Sequence, residues 1–130
     1  MRILLYTKET DESSAKRKEV LESHIRDGGV EIFHTVDALT RRLREPSEEG
    51  KIAILLVKDQ GDLRDILAIQ PLFRNVSLII QVPDDRAETT RMAHRLRPRY
   101  LSAAQEDFGA LVKVLRKMLN NPQEYPGVGP

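Results

Sequence analysis

Five short apolar runs, set apart by stretches with helical spacing, constrain the fold of this chain more than any other feature. They are Ile3-Leu4-Leu5-Tyr6, Val30-Glu31-Ile32-Phe33, Ile52-Ala53-Ile54-Leu55-Leu56-Val57, Val76-Ser77-Leu78-Ile79-Ile80 and the brief Tyr100-Leu101. The first, third and fourth are nearly continuous and aliphatic, as parallel strands covered on both faces must be. The second alternates apolar and polar residues, which suits an edge strand.

Helical spacing is clearest at the end of the chain, where Phe108, Leu111, Val112, Leu115, Met118 and Leu119 form one stripe behind Asp107 as N-cap, and Asn120-Asn121-Pro122 stops the helix. Ser13–Asp27 presents Ala15, Leu21 and Ile25 on one side and ends at Gly28-Gly29. Asp37–Glu45 carries Leu39 and Leu43 before Pro46, and Asp62–Gln70 carries Leu63, Ile66 and Leu67 with Asp62 as cap. Asp85–Arg97 opens on a capping-box pair, Asp85 with Glu88, and is cut off by Pro98. Its apolar stripe of Ala87, Met92, Ala93 and Leu96 is thin, so this helix is expected to be the least firmly packed.

Strands that alternate with helices need crossover connections, and those connections are right-handed. The expected fold is therefore α/β, a doubly wound parallel sheet of (βα)5 form with strand order 2-1-3-4-5. Residues 1–120 are read as one domain, and residues 121–130, rich in proline and glycine, as a frayed tail. The length of 130 residues suits a single domain that buries about two-thirds of its unfolded surface without staples.

Several classes of chemistry fall away on composition. The absence of cysteine removes disulfides, thiolate metal sites and cysteine catalysis. The opening apolar run is too short for a signal-peptide core or a membrane span, so the expected location is the cytoplasm. With 21 basic and 20 acidic residues the chain has no global field to attract polyanions, and aromatic residues at 5% offer few stacking platforms; nucleic acid is not a favoured partner. There is no GxGxxG, P-loop or GxSxG, so backbone phosphate cradles and a nucleophile elbow are unsupported. His24, His34 and His94 lie on different elements at no ligand spacing.

A sheet of this topology binds ligands at the carboxyl ends of its strands, near the order reversal between strands 1 and 3. That places Thr7, Lys8 and Glu9 after strand 1, Lys58 and Asp59 after strand 3, Val82 to Asp85 after strand 4, and Ser102 to Ala104 after strand 5. These same segments resemble response-regulator receiver domains, the CheY-like family with a flavodoxin-like fold. Arg2-Ile3-Leu4-Leu5 resembles the family's opening, and Val76–Val82 its fourth strand. Arg99-Tyr100-Leu101-Ser102, with Asp107-Phe108 and Leu111, resembles its fifth strand and last helix. The resemblance runs from residue 2 to about residue 119.

Receivers hold Mg²⁺ with two acidic residues after strand 1 and phosphorylate an aspartate at the end of strand 3. A hydroxyl after strand 4 and a lysine after strand 5 contact the phosphoryl oxygens. Matched onto this chain, the acidic pair falls on Thr7 and Lys8, the hydroxyl on Val82 and the lysine on Ala103. The acceptor falls on Leu56 or Val57, with Asp59 two or three residues further on. An ammonium at position 8 repels the cation that carboxylates would attract, and valine donates no hydrogen bond. The resemblance thus implies a degenerate pseudo-receiver, a phosphorylation-independent interaction module in signal transduction or regulation that binds rather than catalyses and needs no cofactor or metal.

Three other readings stay open on the residues alone. Asp59 could be an off-register phosphoacceptor in a divergent two-component response regulator, with Glu9 as a lone metal ligand; otherwise it is a solvated loop or cap residue. Lys8 could pair with Asp59 and fix one conformation, or simply face solvent. The chain could instead be a flavin- or nucleotide-binding protein of flavodoxin-like fold, the hydroxyls of Thr7, Thr10, Ser13 and Ser14 receiving a flavin phosphate, although acidic residues crowd the same loop.

Basic residues cluster around the fourth helix, where Arg86, Arg91, Arg95, Arg97 and Arg99 face only Glu88 within residues 86–99. In receivers the face made by helix 4, strand 5 and helix 5 binds partners. Here the resemblance assigns Arg91, Arg95, Arg99 and Tyr100 to an interaction surface for another protein, a second copy of the chain among the candidates, with no membrane involved.

Overall fold

The computed structural model describes residues 2–25, 29–47, 50–103 and 105–120. Its elements run β1 (Arg2–Thr7), α1 (Glu12–Glu22), β2 (Val30–Phe33), α2 (Val36–Arg44), β3 (Lys51–Leu56), α3 (Gln60–Ala68), a 3₁₀ turn (Gln70–Phe73), β4 (Val76–Gln81), α4 (Ala87–His94), β5 (Tyr100–Ser102) and α5 (Phe108–Asn120). All strand pairs are parallel and the order is β2-β1-β3-β4-β5, the expected doubly wound arrangement.

The two-residue period of a strand divides the core into two layers. Leu4, Tyr6, Ala53, Leu55, Leu78 and Ile80 point to one face, where Leu39 of α2, Leu63 and Ile66 of α3 and Ala93 of α4 cover them. Ile3, Leu5, Ile52, Ile54 and Ile79 point to the other, under Leu21 of α1 and Leu111, Val112, Leu115 and Met118 of α5. Every residue of β3 is buried, which explains why that run shows no alternation. One side chain in this packing is discordant: the buried Ser77 hydroxyl on β4 finds no hydrogen-bond partner among the described residues.

Helix boundaries follow local chemistry that differs in places from the sequence expectation. α1 starts earlier, at Glu12, because the Asp11 carboxylate accepts from the Ser13 amide. It buries Ser14 rather than Ala15, which is exposed, and ends before Ile25. Gly28 lies outside the described residues. α2 is capped by the Thr35 hydroxyl accepting from Ala38 N at 3.0 Å, and Arg42 fastens it to edge strand β2 through Glu31 at 2.8 and 3.2 Å. α4 is shorter than expected and lacks the Asp85–Glu88 capping box: its N-cap is Arg86, with no side-chain cap bond. Asp84 rather than Asp85 serves this turn, accepting from Arg86 N at 3.0 Å. At the far end Arg97 takes a left-handed φ of 56°, so the chain leaves the helix before Pro98. Asp107 caps α5 as expected, its carboxylate accepting from Gly109 N and its carbonyl from Ala110 N. The expected tail, residues 121–130, lies outside the described residues, and so does Ala104.

Candidate functional site

The strand ends build the crevice row by row. Thr7, Leu56, Gln81 and Ser102 lie in register across β1, β3, β4 and β5. One residue further along these strands come Lys8, Val57, Val82 and Ala103. Pairing continues into this second row through Val57 N donating to Gln81 O and Val82 N donating to Ser102 O. Val57 and Val82 are buried in the same core layer, so Val57, not Leu56, shares the face of the other pocket positions. At the three places that the resemblance assigns to acceptor, hydroxyl and lysine, the side chains are aliphatic: Val57 and Val82 are buried and Ala103 is exposed.

The centre of the site is Asp62, a residue the sequence reading treated as a helix cap. Asp59 is the cap instead: its carboxylate accepts from Asp62 N at 2.8 Å. With Asp59 at the N-cap, Asp62 falls three residues on, and its side chain turns inward to 1% exposure. There it accepts from the Tyr6 hydroxyl at 2.6 Å and from Lys58 N at 3.0 Å, and the Lys8 ammonium stands 3.5 Å away. The pleat explains the convergence, because Lys8, the first residue past β1, is two on from Tyr6 and so projects to the same side, the one that α3 covers. Lys8 therefore does point into the crevice, but its partner is Asp62, not Asp59. Burial first, then the bond to Asp62, pushes the Tyr6 phenol well above its ordinary range.

Glu9, on the opposite side of the chain from Lys8, turns toward α1. Its carboxylate pairs with Arg17 at 3.1 Å and accepts from the Ser13 hydroxyl at 3.3 Å, while Arg17 also covers the Phe108 ring at 5.8 Å. Glu9 and Asp59 are thus committed to different neighbours. A receiver-type Mg²⁺ centre does not fit this donor set: an ammonium stands where the resemblance places a metal-binding carboxylate, and it is paired with the buried carboxylate beside it at 3.5 Å. Nor does a flavin phosphate fit the first loop. The Ser13 hydroxyl donates to Asp11 and Glu9, the Ser14 hydroxyl to Asp11 O, and Thr7 Oγ1 accepts from Glu9 N. A phosphate there would meet carboxylates in place of donors.

Two further networks close the rim. The Gln60 amide donates to the Thr89 hydroxyl at 2.8 Å. That hydroxyl in turn bonds the Asp84 carboxylate and, with Arg86 N, holds it below the usual carboxylate range. This chain links α3 to α4 above Val82. On the α5 side Glu106 gathers three strand residues: Tyr100 donates to it at 2.6 Å, Ser102 at 3.1 Å, and Gln81 to its carbonyl at 2.7 Å. The bond to Glu106, helped by partial burial, raises the Tyr100 phenol. His34 Nδ1 donates to Thr7 O at 2.8 Å, which gives that histidine a structural duty.

The expected interaction surface is less convergent. Arg91, Arg95 and Arg99 are exposed around α4 and the entry to β5, whereas Tyr100 is half-buried and packs toward α5. β5 is the free edge of the sheet on this side. Among the described residues no helix is long and apolar enough to cross a membrane.

No protein-family model matches the chain, and no curated protein matches it in sequence. Solved structures do match in shape. A CheY-like response regulator receiver domain from Methanospirillum hungatei JF-1 superposes with a TM-score of 0.74 at 15% identity, over 95% of this chain and 96% of the other. A response regulator receiver protein from Pseudoalteromonas atlantica gives 0.68 at 16% identity, covering 94% and 99%. A pilus assembly protein (cpaE) from Burkholderia thailandensis E264 gives 0.64 at 17% identity, covering 90% and 96%. Five parallel strands in the order 2-1-3-4-5, closed by helices on both faces and matched nearly end to end by these domains, give this chain the CheY-like receiver fold.

Proposed function

We propose that the chain is a phosphorylation-independent, receiver-like module of signal transduction or regulation that acts by binding another protein rather than by catalysis. The observation that carries this reading is the Lys8–Asp62–Tyr6 cluster. The crevice contains its own buried anion and its own cation, so the charge that a phosphoryl group would bring is supplied by Asp62 and answered by Lys8. Replacing one member of such a cluster strands a buried charge, and its worth lies in fixing a conformation more than in net stability. The rim networks through Thr89 and Glu106 hold the loops that flank α4 and β5 in the same single arrangement.

The proposed surface is the α4–β5–α5 face, with Arg91, Arg95 and Arg99 exposed and Tyr100 partly so. Its charge favours an acidic protein surface, which long-range attraction would steer and short-range guanidinium bonds would orient. The second reading, a divergent response regulator, draws on one observation: Asp59 is exposed at the carboxyl end of β3. Amide NMR of the full chain with beryllofluoride and Mg²⁺ separates the two. The proposed function predicts no saturable shifts at residues 56–60. Saturable shifts centred on Asp59 would establish an acceptor and replace this reading with the second.

A further inference from the structure

We propose that the basic end of this molecule binds the acidic end of a second copy, head to tail. The near-equal totals of 21 basic and 20 acidic residues conceal a division along the sheet. At the carboxyl ends of the strands, residues 8–12, 34–37, 57–59, 82–88 and 103–107 carry ten carboxylates and three cations. At the opposite end, residues 68–76 and 94–99, which enter β4 and β5, and residues 116–120, which end α5, carry six cations and no carboxylate. Capping and the helix dipoles account for part of this division, since Asp11, Asp59 and Asp107 accept from amides at helix starts. The remaining charges have no such duty. Glu12, Asp37, Asp85 and Glu88 are exposed, and their side chains have no hydrogen-bond or ion-pair partner among the described residues. The same holds at the basic end for Arg74, Arg95, Arg97, Arg116 and Lys117.

This pattern selects the symmetry of self-association. A two-fold pair joined at the basic end sets cations against cations, and one joined at the acidic end sets carboxylates against carboxylates; like charges facing each other oppose both. A head-to-tail contact sets guanidiniums against carboxylates, a match that steers the encounter and orients it through charge-assisted hydrogen bonds. The two patches lie at opposite ends of one sheet, so each contact leaves a free patch on either copy. Assembly therefore continues past the dimer, as an open chain or a ring. The inference rests on the reading that the chain binds an acidic protein through its arginines, and it names that protein.

Analytical ultracentrifugation of the full chain over a concentration series tests the proposal. At about 10 mM salt, where charges act over about 30 Å, the mean mass should climb beyond twice the 14.8 kDa monomer. At about 1 M salt, where that reach falls to about 3 Å, the monomer should return. Two variants test the geometry: Arg74→Glu with Arg95→Glu reverses the basic end, and Asp85→Lys with Glu88→Lys reverses the acidic end. Each should weaken self-association by about tenfold or more. Mixed together, they should form a one-to-one complex that stops at the dimer, because only one intact patch remains on each. A wild-type chain that stays monomeric at every concentration in low salt would overturn the proposal. So would an assembly that closes at the dimer and ignores both reversals. A monomeric chain whose amides at residues 94–99 shift saturably with a hexaglutamate peptide would assign the basic end to a different acidic protein, overturning the second copy while the proposed function stands. Beryllofluoride shifts at residues 56–60 in a chain that still assembles head to tail would overturn the proposed function and support this contact.

Discussion

Replacing Tyr6 with phenylalanine deletes one oxygen and leaves the ring in place, so it probes the buried cluster with little change in packing. The lost bond is short, 2.6 Å, and its acceptor is the carboxylate of Asp62, almost fully buried. Hydrogen bonds to charged groups contribute about 1.5–3 kcal/mol. Asp62 keeps Lys58 N and the Lys8 ammonium after the change, which puts the expected loss near the middle of that range, about 2 kcal/mol. With an unfolding entropy of about 2.1 cal/mol/K per residue, a chain of 130 residues should then melt about 7 °C lower. The pH dependence adds a second signature. The folded phenol is held above its ordinary value of 10.0, so the folded state keeps a proton that the unfolded state releases. That contribution is fully present below pH 10 and is lost as the pH rises beyond it. Thermal melts of both proteins between pH 8 and pH 11 should therefore show the gap narrowing above pH 10. A melting difference under about 2 °C at pH 8, well below the entropy-based figure, or a gap that stays constant across the range, would refute the bond between Tyr6 and Asp62.

Lys8→Met removes a cation whose side chain is 37% exposed, so solvent already screens part of the interaction; a loss of about 1 kcal/mol is expected in chemical denaturation. A loss of less than a few tenths of a kcal/mol would mean that Lys8 is solvated and that Asp62 is balanced without it. Ser77→Ala deletes a buried hydroxyl without a partner among the described residues and should raise stability by about 1 kcal/mol, since an unsatisfied buried polar group costs that much. Destabilisation by a similar amount would show that the hydroxyl has a partner after all.

Most of the sheet could be read from the sequence because its signal is local. The six-residue run Ile52–Val57 and the run Val76–Ile80, broken only by Ser77, have no other stable use in a chain of this size, and the polar stretches between them leave only crossovers. Asp62 could not be read the same way. Asp59 and Asp62 each precede an apolar stripe at cap spacing, and the capping rule alone accepts either. What decides is tertiary: Tyr6 on β1 and Lys8 just past it project onto the α3 side, and Asp62, one turn into the helix, meets both. The available signal was the parity of β1, which puts a phenol and an ammonium on one face beside whichever carboxylate α3 turns inward. The start of α4 differs from the expected capping box for a related reason. Asp84 and Asp85 are adjacent, and the bond from Thr89 draws Asp84 into the turn, leaving Asp85 exposed. The 3₁₀ turn and the left-handed Arg97 carry no sequence pattern of their own; they are set by how the chain re-enters the sheet at β4 and β5.

The pocket positions behaved differently again. Lys8, Val57, Val82 and Ala103 each follow the last registered row, Thr7, Leu56, Gln81 and Ser102, by one residue, and Val57 and Val82 continue the pairing. Glu9, in the loop after β1, turns to α1 instead, where Arg17 meets it.

The most direct measurement is the intact mass of the full chain after incubation with acetyl phosphate and Mg²⁺, followed by peptide mapping. A crevice that already holds the Lys8–Asp62 pair, with valine at the acceptor position, predicts an unchanged mass. A phosphoryl adduct on Asp59 that needs Mg²⁺ would contradict it.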